Sequence, residues 1–546
     1  MDNITKSFLF ASILSILLLE GGCTSPTLPP SFLKVTPPPI ISPSPHIGSP
    51  SPGYPVGAEH GDIASDSEHE QLVPNWRDSY DMDLSLDVSG KRLFGIVRLA
   101  AKNSGDDAWS NLCLRDHPSS ALDLFASDLK DNNLFSDELR EFYSEKELES
   151  GIESAHDLRT GKALGITRDD DKSIYFVELE EPLEPGSTVE IEMRFSFDIP
   201  PGAYTVSYRA LDTASYRSDG QNISFELAYF YPILSVRENG EWIANPNSSL
   251  GESFYSRSAD YSAKLSLPSG YTVASSGDEH LASESGGNAV WEMRGENMRD
   301  FTISASNHRS IANGESCGVV INVLYPSNDV KYESKYEPSP SIRTAEEWEA
   351  IGESVLSAAE DSVDLYSELF GECFYSELDV VVCDIRSAGM ENVGLVRVSL
   401  SCAGIAPSQL RLLVAHEIAH EWFYAAVGND QYSESWLDEG FATFAAALFM
   451  RAEGLEVDAP SPQIINRPLK HYVDNGSGMG PIYSGGRSLL WSLMDEMGEE
   501  DFFGMIRLYY ESYKGKEAKT GDFIEIVNKW THNDPDVEKI IKLYIE

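Results

Sequence analysis

The chain has 546 residues, too many for one ordinary core, so roughly two to four domains are expected. Hydrophobic residues make up 41% and charged residues 24%, which excludes collagen-like and wholly disordered classes. With 88 Asp+Glu against 41 Lys+Arg the formal net charge is −47, a surface that repels phosphate backbones and speaks against nucleic acid as a partner.

At the N-terminus, Lys6 precedes an apolar run from Phe8 to Leu19, followed by Gly21-Gly22-Cys23. The run is too short to span a bilayer and has the form of a secretory h-region. Small residues before Cys23 resemble a lipoprotein signal, although Glu20 stands where an aliphatic residue is usual. Residues 1–22 are therefore expected to be a signal peptide. Cys23 is expected to be the lipidated first residue of an exported, extracytoplasmic protein held at the membrane surface. A plain signal peptide cut nearby is the alternative. Residues 23–75 are rich in Pro and Ser and are expected to form a disordered, extended tether, with order beginning near Trp76 to Tyr80. Without Cys23, the set Cys113, Cys317, Cys373, Cys383 and Cys402 is odd, so at least one thiol stays free, with room for one disulfide in the second half.

From residue 76 to 316 the pattern is β. Segments such as MDLSLDVSG, TVEIEMRFSFDI and SAKLSLPSGYTV alternate apolar and polar residues between Gly/Pro turns. An antiparallel β-sandwich or saddle is expected, with a helical excursion in the acidic stretch 125–160. From 317 to 546 the character changes. The strand VVINVLYP leads into a helical stretch from Ile342 to Phe370, then strands LDVVVCDI and GLVRVSL, then mostly helical periodicity from Ser408. This half is expected to be α/β, ending in helices.

The sharpest signal is RLLVAHEIAHEWF, an HExxH motif at His416, Glu417 and His420. Residues four apart share one face of a helix, so both imidazoles can bind one cation. Glu417 can reach the open coordination position and accept a proton there as general base. Glu439, in SESWLDEGFATF, follows His420 with eighteen residues between them. A helix–turn–helix of that length can bring it back as third ligand. Two His and one Glu, with a fourth position left open, is the pattern of a catalytic rather than a structural zinc site.

HEIAHEWF, WLDEGFA at this spacing, and the upstream AGMEN (Ala388 to Asn392) together resemble the gluzincin aminopeptidases of the aminopeptidase N and leukotriene hydrolase type. YSGGRSLLWSL and the β-rich first half are similar as well. The resemblance implies a thermolysin-like catalytic domain, α/β to mostly helical, with one zinc per chain, acting on peptides with free N-termini. It implies that Glu391 binds the substrate's α-amino group. It also implies that Gly389, Met390 and Asn392 lie at the first substrate pocket, and that Tyr483 donates to the developing oxyanion. Asp438 and Glu421 are candidates for orienting ligands. The family's N-terminal strand usually supplies a Gln or Glu to the amine; here Glu226 is the candidate. A zinc endopeptidase or other hydrolase on the same fold, and a non-catalytic binding protein, are the alternatives.

Overall fold

Alternation of apolar and polar residues builds the first half. In Asp78–Asp87, the side chains of Tyr80, Met82, Leu84 and Leu86 are buried and most of those between them are not, the period of two of a strand with one face on a core. In the computed structural model, residues 77–120, 122, 148–169, 171, 173–202, 213–245, 251–332, 341–385 and 387–546 are described. The expected signal peptide and tether, with Cys23, lie outside the described residues.

Asp78–Asp87 lies in the middle of a seven-stranded sheet of order Asp278–Ser285, Asn288–Met298, Ala259–Pro268, Asp78–Asp87, Arg92–Lys102, Thr188–Asp198, Ser150–Asp157. Its neighbours are antiparallel except for Asp78–Asp87 and Ala259–Pro268, which run parallel with Tyr80 opposite Tyr261. The expectation of a purely antiparallel half fails at this pair. Alternation reads the same in either direction, so it carries no information about which way a distant partner runs. Two four-stranded sheets and the short pair Arg237–Glu238 with Glu241–Trp242 complete this half, around a core that includes Val97, Met193, Phe225, Leu265 and Phe301. In the acidic stretch expected to be helical, Ser150–Asp157 is a strand, and residues 123–147 lie outside the described set.

The second half is organised on a five-stranded mixed sheet of order Arg309–Ser316, Val319–Pro326, Glu377–Cys383, Leu395–Ser399, Gly389–Asn392. Its first two strands are joined by the two-residue turn Cys317-Gly318, with φ of 51° and 82°. That is the backbone of the tight hairpin turn that matches strand twist. Arg309–Ser316 therefore belongs to the sheet of the second half, and the change of character at 316/317 falls inside a hairpin. The helix Ala345–Phe370 starts at a capping box, in which Glu347 N donates to Thr344 Oγ1 and Thr344 N donates to Glu347 Oε2. Helices Pro407–Ala419, Trp436–Ala452, Leu469–Asn475, Gly486–Met497, Glu499–Tyr513, Thr520–Trp530 and Pro535–Ile541 follow.

Along Glu377–Cys383 the side chains divide between two cores. Leu378, Val380 and Val382 join the helical core around Trp348, Tyr366, Trp422 and Phe441, while Val381 and Cys383 join the β core. The sheet is thus a shared wall, and Arg77–Glu546 fall in one compact unit. Among the described residues, the five cysteines are all free thiols. Among the described residues no helix is long and apolar enough to cross a membrane.

Candidate active site

The motif helix Pro407–Ala419 is buried along most of its length. Tyr366 Oη donates to Ala415 O at 2.8 Å and ties it to the long helix Ala345–Phe370. His416 and Glu417 sit on its last turn and His420 caps it, all at most 1% exposed. The helix Trp436–Ala452 crosses it and presents Glu439 from its first turn. The crossing helices place His416 Nε2 3.2 Å from Glu439 Oε2, His420 Nε2 3.6 Å from the same oxygen, and the two Nε2 atoms 3.4 Å apart.

This triangle fits zinc. Three ligands of a tetrahedral site at about 2.0–2.1 Å from the metal lie about 3.3–3.4 Å from one another. His420 Nδ1 lies 3.1 Å from Phe423 O. A carbonyl only accepts, so the ring proton is assigned to Nδ1 and the Nε2 lone pair faces into the triangle. Two imidazole lone pairs and a carboxylate converging in a dry pocket call for a cation. Burial acts to push Glu439 up, but the rings of His416 and His420 outweigh it and hold its carboxyl below the usual range.

Glu417 Oε1 is buried without a hydrogen-bond partner. Burial, and next the charge of Glu391, push Glu417 well above the usual carboxylate range; a dication beside it acts in the opposite sense. Its place depends on Gly389, because a Cβ there would stand 2.2 Å from Glu417 Oε1. Gly389 belongs to the edge strand Gly389–Asn392, and the pleat puts Glu391 on the same face. One ligand atom each from Glu391, Glu417 and His420 lies within 4.8 Å of the others. The pleat turns Met390 and Asn392 to the opposite face. Met390 packs in the β core, and Asn392 Oδ1 accepts from Arg397 Nε at 2.9 Å. These two side chains, expected at the first substrate pocket, therefore point away from Glu417.

Tyr483 lies in a widened, π-helical turn, Pro481–Gly485. Its Oη donates to Glu439 Oε1, and its ring stacks on His416 with centroids 6.0 Å apart. Glu421 forms no hydrogen bond with either histidine. Its carboxylate accepts from Gly394 N at 3.1 Å, bracing the loop after the edge strand, and burial pushes it up to about 8. Asp438 Oδ2 accepts from Gln431 Nε2 at 2.9 Å, and the same nitrogen donates to Glu391 Oε1 at 3.1 Å. Burial, with the adjacent Glu439 next in weight, pushes Asp438 up to about 8.

Two residues of the site were not picked out from the sequence. Gln431 lies in the loop between the motifs and bridges Glu391 to Asp438; only its position eight residues before Glu439 pointed to it. Glu252 is the other. One oxygen each from Glu252, Glu391 and Glu439 lies within 4.8 Å of the others. Glu226 does not take that place: it is 2.7 Å from Arg309 Nη2, in a buried ion pair, and accepts from Ser304 Oγ. The second carboxylate comes from a loop rather than a strand. Gly251, at φ 67°, lets that loop pack against Leu469 and Met479 of the catalytic half.

Comparison with known proteins gives a consistent picture. A "Peptidase family M1 domain" matches residues 356–475, a span that holds Glu391, His416, Glu417, His420 and Glu439. Aminopeptidase M1-B of Oryza sativa subsp. japonica is 27% identical over 209 residues, 33% of this chain and 24% of that protein. Glutamyl aminopeptidase of Rattus norvegicus is 28% identical over 195 residues, 30% of this chain and 21% of that one. The matched stretch spans about a quarter of the length of these relatives. A crystal structure of an M1 zinc metallopeptidase from Deinococcus radiodurans superposes with a TM-score of 0.57 at 15% identity, covering 86% of this chain and 94% of that one. The matched domain, the motifs it contains and the shared fold together support the gluzincin aminopeptidase family for this chain.

Proposed function

We propose that the protein is an exported zinc aminopeptidase that releases N-terminal residues from peptides. The observation that carries this reading is the convergence of Glu252 and Glu391 beside Glu439. Two nearly buried carboxylates beside a metal site need a cation, and a peptide's free α-ammonium supplies one through charge-assisted hydrogen bonds. A blocked N-terminus would bring no countercharge to these two buried carboxylates, which costs several kcal/mol. Gln431 holds Glu391 in that orientation. A mutant of the M1 zinc metallopeptidase from Deinococcus radiodurans, which shares this fold, is solved bound to a Tyr-ser-ala substrate, which supports a peptide as the occupant here.

Zinc held by His416, His420 and Glu439 would polarise the scissile carbonyl and lower the pKa of water to about 7. Glu417 Oε1, which lacks a protein partner, takes up the proton and passes it to the leaving amine. Tyr483 Oη, which donates to Glu439 Oε1, would turn its proton to the developing oxyanion. The N-terminal Phe8–Leu19 run and Gly21-Gly22-Cys23 support export and a lipid anchor at Cys23. Loss of lipid labelling in Cys23→Ala would be the expected result, and undiminished labelling would remove the anchor.

The deciding experiment is hydrolysis of aminoacyl amides beside their N-acetylated counterparts, with Glu417→Gln as control. Cleavage of the free-amine set alone, by the unmutated protein alone, is the expected result. Equal cleavage of the acetylated set would replace this reading with an endopeptidase.

A further inference from the structure

A second cluster of carboxylates lies apart from the zinc ligands, where the corner between strands Thr272–Ser275 and Asp278–Ser285 meets the catalytic sheet. Glu377 and Asp379 share one face of the strand Glu377–Cys383, and Glu279 comes from the facing corner. One oxygen from each lies within 4.8 Å of the others. Asp379 is 2% exposed. Its Oδ1 accepts from Asn322 Nδ2 at 3.0 Å, and its Oδ2 is buried without a partner. Asn322 Nδ2 also donates to Glu377 Oε1 at 2.9 Å, and Ser275 N donates to Glu279 Oε2 at 3.1 Å.

No Lys or Arg among the described residues forms an ion pair with any of the three. Arg309, the cation that acts on Asp379 from a distance, spends its guanidinium on Glu226 and Ser304. Burial, and next the charge of Asp379, push Glu279 up to about 9; burial pushes Asp379 up to about 7. Three carboxylates crowded in a half-dry corner are unfavourable without a positive charge among them.

We propose that Glu279, Glu377 and Asp379 form a calcium site that joins the β half to the catalytic sheet. The donors are all oxygen, which suits a hard cation rather than zinc. Calcium–oxygen distances of about 2.3–2.6 Å put any two ligands of one ion no more than about 5 Å apart, as these are. Glu279 and Glu377 are half-buried, which leaves an entry path and room for water to complete the shell. The corner is rigidly set: a Cβ on Gly277 would stand 1.9 Å from Arg294 O, and one on Gly394 would stand 2.3 Å from Ser276 O. Gly394 follows the strand that carries Glu391, so the ion would brace the base of that strand.

The test is equilibrium dialysis of the full-length, zinc-loaded protein against radiolabelled calcium chloride at constant ionic strength. Saturable uptake of about one calcium per chain, at micromolar to millimolar free ion, is expected. Asp379→Asn and Glu377→Gln should each weaken uptake by about tenfold or more while zinc content stays constant. Glu279→Gln, on the half-exposed side, is the variant least able to disturb folding and should do the same. Absence of saturable uptake by the unmutated protein up to about 10 mM calcium, about tenfold above the weakest such sites, would overturn the proposal. So would uptake unchanged in Glu279→Gln, since the ion would then be bound elsewhere.

Discussion

Glu417 can stand where it does only because the residue across from it has no side chain. The 2.2 Å approach of a Gly389 Cβ to Glu417 Oε1 is closer than atoms come, so Gly389→Ala must rotate the base away. A displacement of about 1 Å can cost about a hundredfold in rate. Gly389→Ala should therefore lower kcat by about that factor with zinc content unchanged; full turnover would show that the base tolerates the shift. Glu417→Gln keeps every ligand and removes the proton acceptor, so zinc should remain while kcat falls by about 10²–10⁴, with metal analysis run beside the kinetics. Gly389 was expected to line the substrate pocket. The sequence shows that a glycine precedes Met390 and Glu391, but not what that glycine faces, because the strand and the motif helix meet only in three dimensions.

Among the elements, the crossing of Trp436–Ala452 with the chain that carries Tyr483 sets the catalytic geometry. At Gly440 a Cβ would stand 2.9 Å from Gly486 Cα, and at Gly486 one would stand 2.6 Å from Gly440 Cα. Backbone lies against backbone, and this contact brings the π-helical turn over Glu439. Gly486→Ala should push the two apart, costing about 1–3 kcal/mol of stability as overpacking does, with a loss of kcat transmitted through Tyr483. Urea unfolding together with kinetics would separate the two effects; a stable variant with unchanged kcat would show that the contact does not place Tyr483. Helical periodicity made these helices legible, and HExxH with the distant Glu439 named three side chains that the fold brings together. The π-helical turn was not legible, since one extra residue in a turn leaves no mark on periodicity. Nor was Glu252: a loop glutamate after Gly251 carries no alternation, so a search for a strand residue fell on Glu226, which a buried arginine already occupies.

Over the whole molecule two kinds of negative charge act differently. The net charge of −47 lies mostly on solvated side chains, whose mutual repulsion opposes compaction and is screened over about 10 Å at 0.1 M salt. The carboxylates of Glu439, Glu417, Glu391 and Glu252 are buried at the metal site, where salt screens far less. Zinc binds the folded arrangement, because His416, His420 and Glu439 converge only through the packing of two helices. Its stabilisation follows mass action, about 4 kcal/mol at a thousandfold excess over Kd. Potassium chloride should then raise the Tm of the zinc-loaded and zinc-free proteins alike, while the gap between them persists. Calorimetry of both forms across a salt series checks this. A gap that closes as salt rises would place the zinc-dependent stabilisation on the solvated surface instead of in the buried triangle of His416, His420 and Glu439.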